Sequence, residues 1–361
     1  MKNWVSHYLT LDKYNKTIIG RFNQMSKKKI AIILSILIFS TSLVACGNKD
    51  IDTGGGKKDK VQLKMSVTSA DGSTWTKGAN KFAELVSEKT NDEVEVKVYP
   101  NEQLSGGNQG KGVEMLRNGA IDISFHSNII YSIMDERFGV ISLPWLLPDH
   151  ETVDEKLNGT GGEAINEILD EIGIVGLGFG ENGFRQITNS KRPIKTPEDM
   201  EGLKIRIPGI KMYISLYKAL GADPQAMNFA EVFTSLQQKA IDGQENPTDI
   251  ISSSKIYEVQ DYLSVWNYSY DAIILGINKD KFESFDEKTQ QAIREAAKEA
   301  CEFQVQLNRK LEEEQLQMFE EKGMEVTRLT PDEIAAFQGK MDSVYAEYES
   351  IIGKDLIDAF R

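Results

Sequence analysis

Short apolar runs of period two alternate along this chain with longer runs of helical period. Val61, Leu63, Met65 and Val67 alternate with polar residues, the spacing of a strand with one buried face. Ala79, Phe82, Ala83 and Val86 share one face of a predicted helix. Val94, Val96 and Val98 predict a second strand, closed by Pro100. Gly106-Gly107 marks a loop before a helix through Val113 and Leu116. Ile121, Ile123 and Phe125 predict a third strand ending at His126. Residues 151–172 read as one helix. Ile174 to Phe179 reads as a strand in which Gly176, Gly178 and Gly180 imply close backbone packing. This alternation predicts an α/β protein with mainly parallel sheet.

The second half has the same style. Thr196-Pro197-Glu198-Asp199 carries helix-start chemistry, with an N-cap hydroxyl, proline at N1 and an acid at N3. Leu203 to Ile207 is a predicted strand cut off by Pro208, Met212 to Leu220 a helix stopped by Gly221, and Ala230 to Ile241 another helix. Ser284 and Glu287 form a capping box for a helix that can run to Lys322, with Gly323 as its stop. Such a helix is too long for one small domain, and bridging two lobes is its simplest use. Thr330-Pro331-Asp332-Glu333 starts the last predicted helix.

The N-terminus has a different pattern. Ile30 to Val44 is a 15-residue apolar run behind Lys27, Lys28 and Lys29. It is short for a membrane span, which needs about 20 apolar residues, and fits a secretory signal better. It ends in Leu43-Val44-Ala45-Cys46, which resembles a bacterial lipoprotein signal with Cys46 as the lipidated mature N-terminus. A signal anchor retained in the membrane is the alternative. Residues 1–45 are therefore expected to be a signal peptide, with Met25 as an alternative start. Residues 46–60, with Gly54-Gly55-Gly56, are expected to form a flexible tether.

Composition narrows the function. The 361 residues carry a formal charge of −13, and removal of residues 1–45 leaves 316 residues at −19. Such acidity argues against nucleic acid as a partner, yet a pocket can be locally positive inside an acidic protein. Two cysteines and three histidines exclude a disulfide scaffold and leave little for a metal centre or a His-based triad. There is no Gly-x-Ser-x-Gly elbow, no dinucleotide fingerprint and no phosphate loop. Neither enzyme, cofactor nor metal is expected. Cys301 reads as a small helix residue.

The arginines carry more. In Gly202-Leu203-Lys204-Ile205-Arg206-Ile207-Pro208, a strand puts Leu203, Ile205 and Ile207 on one face and Lys204 and Arg206 on the other. An arginine at a strand end can hold a carboxylate through two parallel hydrogen bonds, or it can form a surface salt bridge. Arg185, in Gly183-Phe184-Arg185-Gln186, leaves the same choice.

Gly202 to Pro208, Phe229-Ala230-Glu231-Val232-Phe233 and Asp242-Gly243-Gln244-Glu245-Asn246-Pro247 resemble the solute-binding proteins of TRAP transporters, the DctP family. The resemblance runs from about Leu63 to the C-terminus and includes Ala79 to Leu85, Tyr99 to Leu104 and Leu143-Pro144-Trp145. It implies a two-lobed α/β fold of the periplasmic-binding-protein type, class II-like, with a long bridging helix. Lobe I would hold 61–183 with 272–311, and lobe II 184–271 with 312–361. It implies that Arg206 clamps a ligand carboxylate, that Arg185 and Asn246 support it, and that Phe229 packs on the ligand. His126, Asn128 and Thr68 follow predicted strands and are expected to line the pocket, with Gln109 and Tyr268 as weaker candidates. After Pro208 stands Gly209, where many sugar-acid and sialic-acid receptors have asparagine, which argues against a close match to those substrates. The implied partners are a small organic acid anion (a sugar acid, dicarboxylate or relative), the membrane subunits of a TRAP permease, and the membrane itself through an N-terminal lipid on the extracytoplasmic face. A sensor lipoprotein is the second reading, and an extracellular enzyme on the same scaffold the third.

Overall fold

A computed structural model describes residues 60–361. Residues 1–59, which hold the expected signal, Cys46 and the tether as far as Asp59, lie outside the described residues. The described residues form eleven strands: β1 Val61–Val67, β2 Val94–Tyr99, β3 Ile123–Ser127, β4 Ile174–Phe184, β5 Gln186–Asn189, β6 Lys204–Ile207, β7 Asp223–Ala226, β8 Gly243–Asn246, β9 Tyr262–Val265, β10 Tyr270–Asn278 and β11 Glu325–Arg328. They form two sheets, ordered β2-β1-β3-β10-β4 and β11-β9-β5-β8-β6-β7. The α/β expectation holds, but the sheets are more mixed than expected. The pairs β1–β2, β1–β3, β6–β7, β6–β8 and β9–β11 are parallel. All the antiparallel pairs involve β5 or β10. The reason is topological. The chain leaves the first sheet through β4–β5 and returns through β9–β10, so the two passages run side by side in opposite directions.

The long helix spans Glu287–Glu321. Its N-cap is Asp286, whose carboxylate accepts from the Thr289 N–H at 2.8 Å. Ser284 instead closes a short preceding helix, Lys279–Glu283. Gly323 follows the C-cap at φ 98°, a left-handed value that suits glycine. The helix is about 52 Å long at 1.5 Å per residue. Ile293, Ala296, Ala297 and Ala300 pack with Leu63 of the first sheet and with Phe82 and Val86 of the helix Thr74–Lys89. Leu316 and Phe319 pack with Leu263 of the second sheet and with Val232 and Leu236 of a short helix beside it. A third and larger core, with Leu116, Tyr131, Ile205, Tyr217 and Trp266, fills the opposite faces of both sheets.

Local expectations fail where a break outweighs the periodicity. The helix expected over 151–172 is two, His150–Leu157 and Thr160–Glu171, separated at Asn158-Gly159. The expected Ala230–Ile241 helix shortens to Val232–Gln237 after a 3-10 turn at Phe229–Glu231. Thr196 caps only a 3-10 turn, Pro197–Met200. The helix that Thr330 caps, Pro331–Gln338, is followed by Asp342–Ile352 and Lys354–Ala359. The glycine-spaced strand runs on to Phe184, and its glycines do admit the long helix. A Cβ on Gly178 would lie 3.1 Å from Cys301 Sγ, and one on Gly180 only 2.6 Å from the Phe125 ring. Among the described residues no helix is long and apolar enough to cross a membrane.

Candidate functional site

Strand ends and the two passages converge on a narrow cavity of about 30 Å³, lined by Thr68, Trp75, Arg185, Arg206, Phe229 and Asn246, among others. Arg206 comes from β6. Strand alternation sends Ile205 and Ile207 into the core and leaves Arg206 on the other face, yet it is only 2% exposed. Its Nε and Nη2 both donate to the Met227 carbonyl, at 3.2 and 2.8 Å. Its guanidinium lies 5.6 Å from the Phe229 ring centroid. No carboxylate among the described residues forms an ion pair with it. Burial pulls its pKa down to about 10, against the smaller opposing pull of Glu245.

Arg185 is the opposite case. It sits between β4 and β5, where its N–H donates to the Ser269 carbonyl at 2.9 Å and ties the two passages together. Its Nε and Nη2 form a two-point bond with the Glu245 carboxylate. Its Nη1 donates to Asp271, and Nη2 also reaches Asn246 Oδ1 at 3.1 Å. Burial disfavours its charge, but Glu245 and Asp271 outweigh that and hold its pKa well above the ordinary arginine value. Asp271 is held above the usual carboxylate range by burial, against the pull of Arg185. Asn246 is held on both sides, since its Nδ2 donates to Gln244 Oε1 at 2.6 Å.

His126 and Asn128 lie behind the cavity wall rather than on it. Asn128 Nδ2 donates to Phe138 O and Ser142 Oγ, and its Oδ1 accepts from the Ala272 N–H at 2.9 Å. Those bonds use its amide on the backbone, so it braces β3 against β10. His126 is fully buried with Nε2 3.3 Å from Glu102 Oε2. Thr68 lines the cavity while donating to Glu102 Oε2 at 2.9 Å. Gln109 lines it too, whereas Tyr268 donates to Glu245 Oε2 at 2.7 Å and supports the acid.

Sequence reasoning missed Trp75, Asn182 and Asp271, which also line the cavity. Trp75 Nε1 donates to Asn182 Oδ1 at 3.1 Å, and Asn182 Nδ2 to Asp271 Oδ2 at 2.7 Å. One signal was available: Asp271 is a lone acid in the otherwise apolar run Tyr270 to Ile277. An acid there must be paired or neutral. Among the described residues no group of His, Cys, Asp and Glu could hold a metal ion.

The geometry is that of a small interlobe pocket with one uncompensated cation. The profile of the bacterial extracellular solute-binding proteins, family 7 (DctP), matches residues 65–351, most of the chain. The chain belongs to that family. The match takes in β2 to β11, the long helix and β1 from Met65 onward. A relative, the C4-dicarboxylate-binding protein DctB of Bacillus subtilis, is 31% identical over 86% of this chain and 89% of that protein. A TRAP periplasmic solute-binding protein of Ralstonia eutropha H16, solved with bound (S)-2-acetolactate, is 35% identical. It covers 83% of this chain and 97% of its own, with a TM-score of 0.81. The sugar acid binding protein DctPAm of Advenella mimigardefordensis, solved with galactonate, is 30% identical over 83% of this chain and 98% of its own, with a TM-score of 0.79. Family-7 proteins are extracellular solute-binding proteins rather than enzymes.

Proposed function

We propose that this family-7 chain is the extracytoplasmic receptor of a TRAP transporter and binds a small organic acid, with Arg206 as the carboxylate clamp. The observation that carries the reading is the state of Arg206: buried, lining the cavity, and without a carboxylate of its own. A buried cation left unpaired costs about 3–5 kcal/mol, which a ligand carboxylate recovers on binding. In a water-excluded cleft that two-point bond is stronger than in water. Arg185, already neutralised, orients Asn246 beside it, and Phe229 backs the guanidinium. The two halves, 61–183 with 272–311 and 184–271 with 312–361, act as lobes that close on the solute. Ligand shifts the balance only by binding the closed form better than the open one. The acids bound by the relatives, acetolactate and galactonate among them, support this substrate class.

The test is a thermal shift screen of hydroxy, oxo, sugar and dicarboxylic acids on purified protein. One or a few acids should raise the melting temperature, and Arg206→Ala should abolish the rise. No shift with any acid at millimolar concentration sinks the reading. A sensor lipoprotein would bind alike, so the two are separated in cells. Ion-gradient-driven uptake of the solute, lost on deletion, supports transport and delivery to the permease. Lipidation of Cys46 anchors the receptor at the outer face of the cell membrane in this reading. Cys46→Ser should release the protein into the medium.

A further inference from the structure

The cavity at Arg206 adjoins a larger one of about 230 Å³, and Thr68, Gln109 and Phe229 line both. Together they fall short of the ~300 Å³ at which drug-sized sites begin. The larger cavity therefore has the position and size to take the far end of a small solute whose carboxylate sits on Arg206. Its charge is informative. Neither cavity has a lysine or histidine in its lining, and their arginines are Arg185 and Arg206. Arg185 is already matched by Glu245 and Asp271. The one charged group that lines the larger cavity is an acid, Glu102.

Glu102 is 2% exposed and held inward at some conformational cost. Both it and Asn101 take left-handed backbone angles, φ 53° and 55°, which L-residues seldom adopt. Its carboxylate accepts from Ser66 Oγ at 3.2 Å, Thr68 Oγ1 at 2.9 Å and Ser105 Oγ at 3.2 Å, and His126 stands behind it at 3.3 Å. Burial works against its charge, but His126 first, and then the hydroxyls of Thr68 and Ser105, outweigh it and hold the acid below the usual carboxylate range. The far wall thus holds Glu102, Asn101 and Ser254, but no lysine, arginine or histidine.

We infer that the solute is a monocarboxylate with an uncharged, hydroxyl- or keto-bearing tail, and that the Glu102 wall rejects dicarboxylates. This rests on the receptor reading above and adds the charge of the solute to it. A second carboxylate would be desolvated beside Glu102 and Asp271 with nothing to pair it.

The experiment titrates the wild-type protein by calorimetry with acids matched in carbon skeleton: 2-hydroxybutyrate against malate, gluconate against glucarate, and galactonate against galactarate. At least one monocarboxylate should bind, and its dicarboxylate partner should bind at least about 100-fold more weakly. Glu102→Gln, verified as folded by its melting curve, should narrow that ratio by about tenfold or more. An unchanged ratio overturns the role of the Glu102 wall. A dicarboxylate that binds as well as or better than its partner overturns the inference. If Arg206→Ala abolishes such dicarboxylate binding, the receptor reading stands while the charge inference falls. If no acid of either series binds the wild type, both fall.

Discussion

Two buried arginines less than 25 residues apart in this chain have opposite electrostatic states. Arg185 faces Glu245 and Asp271, and Arg206 faces a backbone carbonyl and an aromatic ring. Their substitutions should therefore diverge. Arg185→Met leaves two buried acids unmatched and should cost about 3–5 kcal/mol, read as a lower urea midpoint. Arg206→Met removes an unpaired buried charge, so the ligand-free melting temperature should stay level or rise. A large loss of stability in Arg206→Met would mean that the arginine is structural. His150 carries a pH dependence. Its Nδ1 lies 3.4 Å from Glu181 and its Nε2 3.6 Å from Glu312, and these acids raise its pKa to about 9. A raised value means that the folded state holds the proton more tightly than the unfolded one. The contribution is complete below about pH 6.5, the ordinary histidine value, and is lost as pH rises through about 9. Melting temperatures measured from pH 6 to 9.5 should fall more steeply for the wild type than for His150→Gln.

At the scale of elements, the contact between β4 and the long helix positions the site. Gln304 on that helix accepts the Glu181 N–H at 2.7 Å and donates to the Glu181 carbonyl at 2.8 Å. One side chain thus satisfies a strand edge as a neighbouring strand would. Asn308 repeats the device one turn on, donating to the Asn182 carbonyl at 3.2 Å. Such an approach needs Gly180, because a Cβ there would stand 2.6 Å from Phe125 and 2.7 Å from Gln304 Oε1. Gly180→Ala should cost about 1–3 kcal/mol in chemical denaturation, through overpacking. Equal stability would show that the helix can move away without loss. Asn182 and Asp271 line the cavity from these same passages.

For the whole molecule, the bridging helix joins the two smaller cores, and the largest core packs on both sheets. Its first half belongs to one core and its last turns to the other. Across the cleft mouth, Lys211 pairs with Glu136 at 2.6 Å, and a Cβ on Gly107 would approach Ala230 Cβ to 3.4 Å. The proposed closure of the lobes would confine its bends to the passages and the helix. Small-angle scattering should show a smaller radius of gyration in saturating ligand. An unchanged radius through saturation would count against closure as the binding step.

Sequence alone determined what depends on near neighbours. The alternation at Val61–Val67, the glycine stop of the long helix at Gly323, and the side of β6 on which Arg206 lies are local, because backbone periodicity and turn chemistry act over a few residues. The ordered blocks from Gly202 to Pro247 carried the family as well. What the local pattern could not decide was partnership. Arg185 meets Glu245 and Asp271, 60 and 86 positions away, and Asn128 meets Ala272, 144 positions away. Nothing in the spacing of a chain says which buried charges will meet. Only tertiary packing decided that Arg185 is matched, that Arg206 is not, and that Asn128 braces the backbone behind the cavity. The physical reason is that a buried charge has its state set by whichever groups the fold brings within a few ångströms.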